Sequence, residues 1–174
     1  VIVATQVLES MRTEPRPTRA QASDAAVAVD GGADAIMLSG ETATGFYPVR
    51  SVEVLDAIIR DAETIPVPVD RRRGGDGPVG HATALCEAAA WLSARSGAHA
   101  IVAVTREGNT AKRLSAIRPQ AGIVAATDDV EVARRLSIFH GVLPVMCDLD
   151  GDIEDVVTRV VESAARRTRA PENA

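Results

Sequence analysis

Five short apolar runs, each followed by a segment of helical periodicity, most constrain how this chain folds. The runs are Val1–Ala4, Asp34–Leu38, Ala100–Val104, Ile123–Ala126 and Val142–Met146. A strand that is followed by a helix and then by another strand must return in parallel, so the pattern predicts α/β architecture with mostly parallel sheets. Composition agrees. Aromatic residues make up 2% of the chain and hydrophobic residues 46%, so the core is built from Ala, Val, Leu and Ile, which suits strands covered on both faces. On that ground Val1–Ala4 is expected to be a buried strand.

The alternation divides into two blocks. In the first, a Pro- and Arg-rich turn (Arg12 to Arg19) leads to Ser23-Asp24 as N-cap of a short helix, Ala25–Asp30, stopped by Gly31-Gly32. A loop from Ser39 to Tyr47 follows the second strand. Pro48 then opens a helix with Val52, Leu55, Ile59 and Ala62 at helical spacing. Residues 64–80 break the rhythm with Pro66, Pro68, Pro78, three arginines at 71 to 73 and four glycines. That is linker chemistry, so the expected organisation is 1–63, a linker over 64–80, and 81–174.

In the second block, Leu85, Ala88, Ala89 and Leu92 define one helix face. Thr110–Ile117 and Val130–Leu136 read as helices, and a final helix capped by Asp150 or Asp152 carries Ile153, Val156, Val157, Val160, Val161 and Ala164. The tail from Arg166 is charged and is expected to fray. The chain opens strand-like, with neither an initiating Met nor a lead-in, and reads as cut from something longer.

Charge and cysteine content exclude several classes. Net charge is −5 with arginines spread along the chain, which provides no basic stripe for nucleic acid. No apolar run reaches the ~18 residues of a membrane span. Cys86 and Cys147 lie far apart, outside any CxxC or Cys/His cluster, and are expected to be reduced, buried thiols of a cytosolic protein.

Two strands end in hydroxyl residues, Thr5 and Ser39. At the C-terminal ends of barrel strands such residues face the active site. Equally, hydroxyls satisfy backbone groups where strands enter loops, and position alone leaves both readings open.

The wording around them narrows the choice. Ala4-Thr5-Gln6-Val7-Leu8-Glu9-Ser10-Met11 resembles the ATQMLESM block of pyruvate kinases, with Val7 for Met. Pro15-Arg16-Pro17-Thr18-Arg19-Ala20 resembles the PRPTRAE block, with Gln21 for Glu. Ala35 to Ala43, with Gly45 and Tyr47-Pro48, resembles MLSGETAxGxYP. Beyond the linker the match is looser.

The resemblance implies the last two βα units of a (β/α)8 barrel, followed by a three-layer α/β C-terminal domain that is truncated after its last helix. It implies transfer of the phosphoryl group of phosphoenolpyruvate to ADP, giving ATP and pyruvate. Thr5 would bind substrate near its carboxylate and join in protonation, with Ser39 beside it in a hydroxyl and water network. Glu9 and Glu41 would be structural partners of loop arginines and backbone. Mg2+ (or Mn2+) and K+ would be bound by residues upstream of this chain, as would the catalytic lysine, leaving no metal ligand here. Contacts near Arg12 to Arg19 would belong to a homo-oligomer interface, as in a homotetramer.

The resemblance also places an effector loop, usually T-x-S-G-R-[ST]-A, at Thr105-Arg106-Glu107-Gly108-Asn109-Thr110-Ala111. A strand-to-helix turn with Gly108 and the Thr105 and Thr110 hydroxyls suits a phosphorylated effector. Glu107 and Asn109, in place of Ser and Arg, argue for a degenerate loop. A regulatory module sensing a phosphorylated metabolite, or a subunit-interaction domain, are the rival readings.

Overall fold

The computed structural model describes residues 1–4, 6–65 and 80–168, so Thr5 and most of the expected linker lie outside the described residues. The chain forms two compact units, Val1–Arg71 and Arg72–Ala174.

In the first unit β1 (Ile2–Ala4) pairs in parallel with β2 (Ala35–Met37), Val3 opposite Ile36. Between them come a 3-10 turn, Glu9–Arg12, and helix α1 (Arg19–Asp30); after β2 come a single turn, α2 (Gly40–Ala43), and α3 (Pro48–Glu63). Side chains alternate across a strand. Val3 and Ile36 pack with Leu38 onto the core of Val7, Leu8, Met11, Ala25 and Leu55, while Ile2, on the other face, is 53% exposed. β1 is therefore covered on one face only, because α1 and α3 belong to the same side of this strand pair.

Two further expectations are corrected here. Helix α1 begins six residues before Ala25, and Ser23-Asp24 lie inside it. The start is set by a capping box: Thr18 Oγ1 accepts from Gln21 N at 3.3 Å and Gln21 Oε1 accepts from Thr18 N at 3.2 Å. Gln21 thus completes the capping box from the third helical position. In α3 the buried positions are Ser51, Leu55 and Ala62, and Val52 turns outward.

The second unit holds α4 (His81–Ser96), β3 (Ala100–Val104), α5 (Asn109–Ile117), β4 (Gly122–Thr127), α6 (Val130–Leu136), β5 (Val142–Met146) and α7 (Ile153–Thr168). The sheet order is β3-β4-β5, all parallel, with Val102 opposite Val124 and Val124 opposite Leu143. One face meets α4, α5 and α6 through Cys86, Ala103, Ala111, Leu114, Ile123, Ala125, Val132 and Leu136. The other meets α7 through Val124, Val145, Ala164, Ala126, Val156 and Val160. The parallel α/β sheet is the one expected from the alternation, and its three layers are those the resemblance implied.

Helix α4 does not bury the face expected of it. Leu85 is 68% and Leu92 61% exposed, whereas Cys86, Ala90 and Ser93 are buried. Short side chains let the helix approach β3 and α5 closely, and the larger leucines are left outside. Helix α7 continues to Thr168, past the point where fraying was expected, and Val156 N donates to the Asp152 carbonyl, so Asp152 directly precedes the helix. Both cysteines are buried and unpaired, and burial pushes the Cys86 thiol up. No described helix is long and apolar enough to cross a membrane.

Candidate active site

Parallel strands in one sheet point their C-terminal ends the same way, so the segments after β1 and β2 emerge side by side. Ser39 is the non-helical residue preceding α2, with φ −121° and ψ −94°. Its hydroxyl makes no capping bond and has no hydrogen-bond partner among the described residues, while its carbonyl accepts from Ala43 N at 2.9 Å and Thr42 Oγ1 at 3.3 Å. The backbone of Ser39 is satisfied locally and its Oγ is left available.

Beneath it sits Glu41, with 0% of its surface exposed. Its Oε1 accepts from Leu8 N at 3.0 Å and its Oε2 from Ser39 N at 2.8 Å. Burial opposes ionisation here. The backbone N–H groups of Glu41, Ser39 and Leu8, together with the charge of Arg12, outweigh it and hold the carboxyl below the ordinary glutamate value of 4.5. Glu41 is thus a buried, ionised carboxylate consumed by backbone donors, a structural partner as its sequence context implied. Glu9 pairs with Arg12 at 2.8 Å, and Arg12 Nη2 lies 3.5 Å from Thr44 Oγ1.

A pH dependence follows. A carboxyl with a lowered folded-state pKa contributes stability above its unfolded value and loses it as pH falls through the folded value. Urea unfolding of the 174-residue chain at about pH 7 and about pH 3 should therefore show an acid loss that is smaller in Glu41→Gln. At neutral pH the substitution should cost roughly 1.5–3 kcal/mol, the range for hydrogen bonds to a charged group. Equal acid sensitivity in both proteins would remove Glu41 from the account.

In the second unit Thr105 to Ala111 form one turn at the end of β3. Thr105 is buried, and its Oγ1 accepts from Gly108 N at 2.9 Å. Gly108 has φ +81°, and a Cβ there would sit 3.1 Å from Leu136 Cδ2, so both backbone and packing require glycine. The amides of Asn109, Thr110 and Ala111 open α5. The loop's charges, however, are answered internally: Asn109 Nδ2 donates to Glu107 Oε2 at 2.9 Å, and Arg106 pairs with Asp128 at 3.4 Å and Asp150 at 3.6 Å. Of these acids, which follow β4 and β5, Asp128 was not singled out from the sequence and Asp150 was read there only as a possible helix cap. Their signal was present, since acids shortly after apolar runs sit where parallel strands gather their ends.

The comparisons with known proteins follow the same division. The description "Pyruvate kinase, barrel domain" matches residues 1–52, and "Pyruvate kinase, alpha/beta domain" matches residues 83–173. The chain belongs to the pyruvate kinase family. Pyruvate kinase of Sporosarcina psychrophila is 40% identical over 170 residues, which is 95% of this chain and 29% of that protein. Pyruvate kinase of Agrobacterium vitis is 46% identical over 147 residues, 83% of this chain and 30% of that protein. The crystal structure of a pyruvate kinase from Cryptosporidium parvum superposes with a TM-score of 0.88 at 35% identity, covering 97% of this chain and 35% of that one. The chain therefore spans about a third of the length of these pyruvate kinases, and its two units have the pyruvate kinase fold: part of the barrel, then the α/β domain.

Proposed function

We propose that this chain supplies two strand ends of a pyruvate kinase active site, where the phosphoryl group of phosphoenolpyruvate passes to ADP to give ATP and pyruvate. The observation that carries the reading is the Ser39 hydroxyl, without a hydrogen-bond partner among the described residues and presented by a backbone anchored on Glu41 at the end of a parallel barrel strand. Thr5, which follows Ala4 in the sequence, is assigned to substrate binding and protonation on the motif it shares with the family. Hydroxyls suit the task. They orient an anionic substrate and pass a proton to an enolate carbon without adding charge.

The reaction in this family depends on Mg2+ or Mn2+ and on K+. The described residues do not fit these ions. Among them no group of three or more His, Cys, Asp or Glu side chains could hold a metal, and both Glu41 oxygens face N–H donors. The cations are assigned to parts of the enzyme outside these residues, as is the lysine that meets the transferring phosphoryl group. A homo-oligomer in the cytoplasm is the setting proposed with it.

The test is a coupled assay on the full-length gene product that carries this sequence. Pyruvate should form only when phosphoenolpyruvate, ADP, Mg2+ and K+ are all present. Folded full-length protein that makes none favours the rival readings, a regulatory module or a subunit-interaction domain.

For the α/β domain the proposal is an effector loop that answers fructose 1,6-bisphosphate weakly or not at all. Arg106 is the loop's one cation and Asp128 and Asp150 already pair with it, while Glu107 adds an anion. Hydrogen bonds to charged groups are worth about 1.5–3 kcal/mol, so replacing the family's Arg by Asn109 should weaken bisphosphate binding at least about tenfold. A nucleotide monophosphate, smaller and less charged, remains compatible with Thr105, Gly108 and Thr110. Phosphoenolpyruvate saturation curves with and without the bisphosphate, repeated on Glu107→Ser/Asn109→Arg, decide the matter. The unsubstituted enzyme should barely shift and the double variant should shift clearly. A large shift in the former, unchanged in the latter, contradicts this reading.

A further inference from the structure

The segments that follow β1 and β2 are held by one side chain. Leu8 and Ser39 are 31 positions apart in the sequence, yet their amides donate to the two oxygens of the same carboxylate. Three stretches close around it. Arg12 runs against Gly40, where a Cβ would lie 3.0 Å from Arg12 Cδ, and the Arg12 carbonyl accepts from Phe46 N at 2.8 Å. At Gly45 a Cβ would come within 2.4 Å of the Glu41 carbonyl oxygen, which leaves no room for another residue. The turn at Glu9–Arg12, the turn α2 and the residues around Gly45 thus form one packed block with Glu41 inside it.

A carboxylate is the group this geometry requires. The Leu8 and Ser39 amides converge on its two oxygens, and no hydroxyl or cationic side chain among the described residues hydrogen-bonds to them, so each oxygen must accept. Glutamine, of the same size, would turn an NH2 toward one amide and lose that bond. The clamp also discriminates within Ser39: it takes the amide and leaves the hydroxyl without a partner among the described residues. A linkage of this kind fixes where the Ser39 Oγ stands relative to the segment after β1 without consuming it.

We propose that Glu41 is a positioning residue for phosphoryl transfer, holding the β1 and β2 strand ends in register through Leu8 N and Ser39 N so that the Ser39 hydroxyl is correctly placed. The inference rests on the reading of Ser39 as part of the active site. Misplacing a group near the chemistry by about 1 Å can cost up to about 10²-fold in rate. Glu41→Gln in the full-length enzyme is therefore expected to lower kcat per folded molecule by about 10- to 100-fold. The KM for phosphoenolpyruvate should stay within about threefold, because the bulk of substrate binding lies elsewhere. Glu41→Asp keeps the charge but draws it back by one methylene, and should fall between the two.

The test pairs these kinetics with amide NMR of the 174-residue chain. In Glu41→Gln the Leu8 and Ser39 amide protons should move upfield while those of the second unit stay in place. Unmoved Leu8 and Ser39 amides overturn the clamp, whatever the activity. Moved amides with kcat within about twofold of the unsubstituted enzyme overturn the positioning role and leave a structural one. Should Glu41→Gln fail to fold, Glu41→Asp is judged by the same two readouts. An unsubstituted full-length protein that makes no pyruvate overturns the functional reading instead, and that result is visible before any substitution is made.

Discussion

The 174-residue chain, purified alone and supplied with phosphoenolpyruvate, ADP, Mg2+ and K+, is expected to form no pyruvate above background. Phosphoryl transfer leaves the protein little covalent chemistry; catalysis comes from positioning and from cations that neutralise the transferring group. The sequence contains a single lysine, Lys112, which belongs to the second unit and lies over the Phe139 ring. In the first unit the best-placed acid, Glu41, is committed to backbone amides and is not free to bind a metal. Removing a single preorganised donor typically costs about 10²–10³-fold, and the proposed assignment puts several charged partners outside these residues, so the expected loss is total within any practical assay. Turnover by the isolated chain, proportional to its concentration and abolished by denaturation, would show that these residues hold a complete site.

Much of the architecture was legible because the α/β alternation is long and regular. The three strands of the second unit fall at or within a residue of the apolar runs Ala100–Val104, Ile123–Ala126 and Val142–Met146. Helix faces were harder. Periodicity alone favours the largest apolar residues, so Leu85 and Leu92 looked like the buried stripe of α4, yet its contact is made by Cys86, Ala90 and Ser93. Close approach of backbones selects small side chains, and that selection leaves no large-residue signature in the sequence. The start of α1 was missed for a different reason. Ser23-Asp24 are good capping residues by type, but Thr18 and Gln21 form the reciprocal pair, and the three-residue spacing between them was the stronger signal.

The site was legible by motif rather than by physics. In the sequence Thr5 and Ser39 follow apolar runs, a position where hydroxyls serve either backbone or substrate, and only the surrounding wording favoured substrate. The three-dimensional structure adds what spacing could not show: Glu41 reaches back 33 positions to the Leu8 amide, and Ser39 Oγ has no hydrogen-bond partner among the described residues. In the loop from Thr105 to Ala111 the departures Glu107 and Asn109 were visible, but the pairing of Arg106 with Asp128 and Asp150 required the three strands to be brought together.

The central claim, that the ends of these barrel strands contribute to the chemistry, is tested most directly by kcat for Thr5→Val in the full-length enzyme. Valine keeps the shape of threonine at a strand end and removes only the hydroxyl, so folding should survive. A contact used in the transition state is lost, and kcat should fall by about 10²-fold, on the scale of one lost oxyanion-type donor. Ser39→Ala should fall by less, because water can enter a half-buried site and replace part of its role. Circular dichroism and thermal melting of each variant establish that a loss of rate is not a loss of fold. A fall of about 10²-fold in kcat for folded Thr5→Val is the predicted result. A Thr5→Val enzyme whose kcat and KM both stay within about twofold of the unsubstituted protein would contradict the assignment and withdraw Thr5 from the site.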